Sequence, residues 1–107
     1  MENAYSSEEF KERWQKMSLA QQMGNIGSEV NLSISLKEKG DKGNMEKSVF
    51  RTLELIDLTI SDKRWKGRLH EIFRLREIVC DTFLGENIYK TKPEFLKNYF
   101  LFFALNI

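Results

Sequence analysis

His70 is the single histidine of this chain and Cys80 its single cysteine. The chain therefore offers one imidazole and one thiol for acid–base or nucleophilic work. On one predicted helix their spacing separates them by about 15 Å along the axis, too far to act as a pair. Cys80 has no second cysteine for a zinc or redox motif. Gly67 stands three residues before His70, where a di-iron helix would carry glutamate. Two carboxylate pairs have the spacing that places both members on one helix face, Glu9 with Glu12 and Glu54 with Asp57. Such pairs on facing helices can hold Mg²⁺. The glycines form no phosphate-cradling pattern. No catalytic residue, metal ligand set or cofactor is assigned on these grounds.

Charge suggests binding before chemistry. Residues 63–76 carry Lys63, Arg64, Lys66, Arg68, Arg74 and Arg76, opposed only by Glu71. With Trp65 among them and His70 alongside, Arg64, Trp65, Lys66, Arg68 and His70 make a candidate nucleic-acid patch, cations tracking phosphates and one ring for stacking. The overall net charge of +1 argues against a dedicated nucleic-acid binder. Glu29 lies beside an apolar stripe and needs a cationic partner if buried, for which Arg74 and Arg76 are the candidates. Arg76 falls on the apolar stripe of its own helix and can reach Glu29, Glu54 or Asp57. Glu29, Asp57, Arg74 and Arg76 are thus candidate members of buried ion pairs.

The elements that position these residues are helical. Val49, Leu53, Ile56 and Ile60 recur at helical spacing, as do Leu69, Ile72, Val79 and Phe83. The polar joint at residues 61–64 makes them antiparallel neighbours, with Asp62 as N-cap of the second. Upstream, Ser6 with Glu9 and Ser18 with Gln21 have capping-box spacing, so a break or kink is expected near Ser18. Leu19, Met23, Ile26, Val30 and Ile34 form the next stripe, accompanied by Gly24 and Gly27. Glycine inside a helix costs about 1 kcal/mol relative to alanine. The pair predicts close approach of a backbone or a large ring. Residues 37–44 read as a solvated loop, with Gly40 as left-handed stop and Asn44 as the next N-cap. Gly85 stops the third helix, and Thr91, Pro93 and Glu94 start the last.

That last segment carries Phe95, Leu96, Tyr99, Phe100, Leu101, Phe102, Phe103, Leu105 and Ile107. It is apolar nearly all round, unlike a helix with one face in water. Trp14, Tyr99, Phe100 and Phe103 are therefore expected at an interface in a homo-oligomer, and a further protein partner is compatible with this. RNA through the basic segment is the alternative. No membrane contact is expected, since the most apolar run is far shorter than the ~20 residues of a spanning helix. The polar, acidic start lacks the pattern of a signal peptide, and one cysteine fits a reducing compartment, so a cytoplasmic location is expected.

Arg64 and His70 also satisfy the loose Arg-x(4–6)-His pattern of the HEPN ribonucleases, an all-α and often dimeric family. Trp65 replaces the small polar residue usual there. The carboxylate pairs resemble fragments of the all-α nucleotide pyrophosphohydrolases, with a longer separation. Residues 18–30 and residues 53–60, 64–68 and 74–78 resemble a group of short bacterial hypothetical proteins of unknown function. That resemblance covers about two thirds of the chain and implies a bacterial source without an activity. In architecture the chain is similar to small four-helix proteins such as the ribosomal intervening-sequence proteins. The expectation is one all-α domain, an antiparallel four-helix bundle spanning residues 7–37, 45–61, 63–84 and 93–105. Its expected role is non-enzymatic interaction or assembly.

Overall fold

Start signals decide where the chain turns. The structure, a computed structural model, describes residues 7–105. Ser6 and Ile107 lie outside the described residues. The Ser7 hydroxyl accepts from the Phe10 N–H and opens α1 (Glu8–Lys16). Met17 and Ser18 are extended, and the Ser18–Gln21 capping box forms both of its bonds, at 2.9 and 3.1 Å. The break expected near Ser18 is therefore a full stop and restart, giving α2 (Leu19–Glu38).

Gly40, at φ +76°, turns the chain as expected. The cap that follows is Asp41, not Asn44. Its carboxylate accepts from the Asn44 backbone N–H, and α3 (Lys42–Ile60) starts earlier than the glycine content suggests. Asp62 then caps a 3-10 segment, Lys63–Arg68, rather than the first turn of a long helix. Trp65 leaves helical geometry there, at φ −102° and ψ 20°. Only afterwards come α4 (Leu69–Phe83) and α5 (Pro93–Leu105). The described residues are thus all-helical, with five α-helices and one 3-10 segment in place of the four spans expected.

Side-chain pairs between α2 and α3 run in opposite directions. Glu29 meets Arg51, and Ser33 meets Ser48. The α2 stripe is buried throughout: Leu19, Met23, Ile26, Val30 and Ile34. It faces Val49 and Ile56 of α3, Ile72 and Val79 of α4, and Leu96 and Phe100 of α5, all in one core. In α4 the core takes Leu75 rather than position 76, which leaves Arg76 at the rim.

Gly27 explains how α5 reaches that core. A Cβ on Gly27 would lie 2.8 Å from the Phe100 Cβ, inside contact distance, so the bare backbone admits the phenylalanine. The large-ring prediction holds at Gly27. At Gly24 it does not, because a Cβ there would meet nothing within 4 Å.

The expected contact residues of α5 must be corrected. Phe100 and Phe103 are buried in the chain's own core, as is Trp14. Tyr99 is half-buried against that core. The outward apolar residues of α5 are Phe95, Leu101 and Phe102. An all-round apolar helix divides here, with one side closing the core and the other left in water.

Candidate interaction surfaces

The basic segment serves the fold first. Arg64 makes a two-point contact with the Asp62 carboxylate, at 3.0 and 2.7 Å, and donates to the Met17 carbonyl at 2.7 Å. Its guanidinium lies over the Trp65 ring. The Trp65 indole N–H donates to the Gln22 side-chain oxygen at 2.8 Å. The Gln22 amide nitrogen donates to the Trp14 carbonyl and to Asp62. The Trp14 indole N–H reaches the Thr59 hydroxyl at 3.1 Å. These bonds clasp the α1–α2 break onto the end of α3. Arg64 holds the Asp62 carboxyl below the usual carboxylate range, against the burial that pushes it up.

The other candidates are dispersed. Arg68 pairs with Glu71 at 3.0 Å and lies over the Phe103 ring. Arg76 pairs with Asp57 at 2.8 Å, one of the partners expected for it. That pair is not buried, since the Asp57 side chain is 54% exposed. Glu29 pairs with neither Arg74 nor Arg76. Its partner is Arg51 at 3.0 Å, with the Ser48 hydroxyl donating to its other oxygen. α2 lies directly against α3, which brings Arg51 to Glu29 before either α4 arginine can reach it. Arg74 lies over the Tyr89 ring instead. Lys63, Lys66 and His70 are exposed. Of the four arginines in the basic segment, Arg64, Arg68 and Arg76 are therefore engaged at Asp62, Glu71 and Asp57, and Arg74 is not paired with a carboxylate. Among the described residues, no group of three or more His, Cys, Asp and Glu is placed to hold a metal ion. No described helix is long and apolar enough to cross a membrane.

Two surfaces border α5, one on each flank. The first joins α2 to α5. Along α2 from Leu19 to Leu36 the exposed residues Gln21, Gly24, Asn25, Ser28, Asn31 and Leu32 are all uncharged, in a chain that is 31% charged; exposed charge returns at Lys37 and Glu38. Two of their polar groups are bonded back to α2 itself. The Asn25 amide donates to the Gln21 carbonyl at 2.9 Å, and the Ser28 hydroxyl to the Gly24 carbonyl at 3.2 Å. Beside them a hollow of about 330 Å³ is lined by Gly24, Gly27, Ser28, Asn31, Lys97, Asn98, Phe100 and Leu101.

The second surface is a groove between α4 and α5. One hollow of about 320 Å³ is lined by His70, Glu71, Arg74, Leu75, Ile78, Phe95, Leu96 and Tyr99. It adjoins another of about 480 Å³, which shares Arg74, Ile78 and Phe95 and adds Tyr89, Lys90, Thr91 and Lys92. The Asp81 carboxylate accepts from the Ile88 and Tyr89 N–H groups and fixes the loop that brings these residues to the groove. The Tyr99 hydroxyl donates to Glu71 at 2.8 Å across the far end. Burial, then that bond, push the phenol well above its ordinary range.

Sequence reasoning missed both surfaces. For the first the signal was present: from residue 17 to 36 the one charged residue is Glu29. For the second it was not, because the groove depends on where α5 crosses. No family model, curated protein or solved structure matches the chain.

Proposed function

We propose that this protein is a non-enzymatic assembly module that binds a second copy of itself through the flank where α2 meets α5. Helices α2, α3, α4 and α5 form the antiparallel bundle that carries this flank, with α1 as a clasped appendage. The observation that carries the proposal is the uncharged exposed strip of α2, continuous with Leu101, whose exposure is 53%. Depletion of charge marks the centre of protein–protein contacts. Covering the strip strands few polar groups, because Asn25 and Ser28 already bond to their own helix. Gly24 fits the same reading. Among the described residues nothing lies within 4 Å of where its Cβ would stand to compensate the helical cost, and a bare backbone lets a second copy approach closely. Two-fold pairing places like surface against like, which an uncharged strip tolerates.

RNA binding is less well supported, since Arg64, Arg68 and Arg76 are each paired with a carboxylate. The test is light scattering on a sizing column over a range of loading concentrations. The wild type is expected to elute as an oligomer, a dimer being the simplest closed form. Leu101→Glu and Asn31→Arg should each give monomer with unchanged helical circular dichroism. A wild type that stays monomeric at every concentration, or variants that leave the oligomer intact, would refute the proposal.

A further inference from the structure

We infer that the groove between α4 and α5 is a docking site for an acidic amphipathic helix of a partner protein. The site is separate from the proposed self-contact. Its floor is apolar, from Leu75, Ile78, Phe95 and Leu96. The Tyr99 hydroxyl beside this floor is already bonded to Glu71. Such a floor has little with which to satisfy a bound backbone. An extended peptide would leave its N–H and C=O groups unpaired, whereas a helix satisfies its own. From His70 to Ile78 the groove runs about 12 Å along α4, room for about two helical turns and one apolar stripe.

Charge chooses the partner's sign. Arg74, Lys90 and Lys92 stand at the edge of the groove. Among the described residues, none of the three forms an ion pair with a carboxylate. Arg74 is held over the Tyr89 ring, its centre 5.1 Å from the guanidinium. Of the nearby carboxylates, Glu71 is engaged by Arg68 and Tyr99, and Glu77 by the Tyr89 hydroxyl. The edge therefore offers cations without carboxylate partners beside an apolar floor, which complements glutamates flanking a leucine stripe. A second copy is the wrong occupant. Two-fold pairing of this groove would bring two copies of the cationic edge, each with Arg74, Lys90 and Lys92, into one interface.

The test uses three labelled peptides and fluorescence anisotropy with the full chain. One is a helix-forming peptide with leucines on one face and glutamates beside them. The second has lysine for each glutamate. The third is the acidic peptide in shuffled order. The acidic amphipathic peptide should bind at least about tenfold tighter than either control, and more weakly as salt rises. Arg74→Glu with Lys92→Glu should reverse the preference towards the lysine peptide. Phe95→Ala, at a side chain 55% exposed, should weaken binding while the fold persists. Equal binding of the acidic and lysine peptides, equal binding of the shuffled peptide, or no binding at all would overturn the inference. So would displacement of the bound peptide by a uridine oligomer at equal concentration, which would assign the edge to nucleic acid. Loss of self-association in Arg74→Glu would assign it to a second copy.

Discussion

Two glycines three residues apart on α2 meet different surroundings, and their alanine variants should move stability in opposite directions. Gly27→Ala pushes a methyl group onto Phe100 at 2.8 Å from its Cβ, where neither helix yields easily. It should cost about 1–3 kcal/mol. Gly24→Ala meets open space and should stabilise the monomer by about 1 kcal/mol while weakening the oligomer. Urea denaturation of a monomeric background such as Leu101→Glu reads both values, and equal effects at the two sites would contradict the geometry. Asp62 gives a test in pH. Its folded carboxyl is held low by Arg64, so its stabilisation is complete above the ordinary carboxylate pKa of about 4. That stabilisation is lost as pH falls through the lower, folded value. Asp62→Asn should therefore cost about 2 kcal/mol at neutral pH. The gap to the wild type should narrow as the solution becomes strongly acidic. A gap of the same size at pH 7 and in strong acid would rule out the ion pair as its source.

At the scale of elements, α5 carries two jobs on one helix. Phe100 is 5% exposed and Phe103 7%, so truncating either to alanine should cost about 3–5 kcal/mol. Thermal unfolding would show this as a large fall in Tm in any oligomeric state. Phe102→Ser, at 61% exposure, should leave Tm nearly unchanged. The helices themselves were legible because local signals set them. Capping at Ser18, the left-handed turn at Gly40 and the helix start at Pro93 act within a few residues, and the α2 stripe has a clear period. The 3-10 segment was not legible. Trp65 leaves the helix at a point where its indole bonds to Gln22, a residue remote in sequence. The partners of Glu29 and the sides of α5 were hidden for the same reason. Periodicity tells which residues share a face but not which helix lies opposite.

For the whole molecule, the two free flanks of α5 differ in charge, and that difference sorts partners. The first flank, whose hollow has Lys97 as its one charged lining residue, can meet its own copy, while the more cationic edge of the groove repels it and attracts an acidic chain. If the first flank assembles the protein, Tm should rise with protein concentration, and Leu101→Glu should abolish the rise. Differential scanning calorimetry over a concentration series measures both. The clasp around Asp62 adds a constraint in time. α1, Glu8–Lys16, is too short to persist as a helix alone. Its anchors are Thr59, through the Trp14 indole, and Arg64, through the Met17 carbonyl. On a ribosome the chain is made from its amino end. α1 is therefore made before Thr59 and Arg64, and it can complete its docking only after both have left the exit tunnel, well after its own residues emerge.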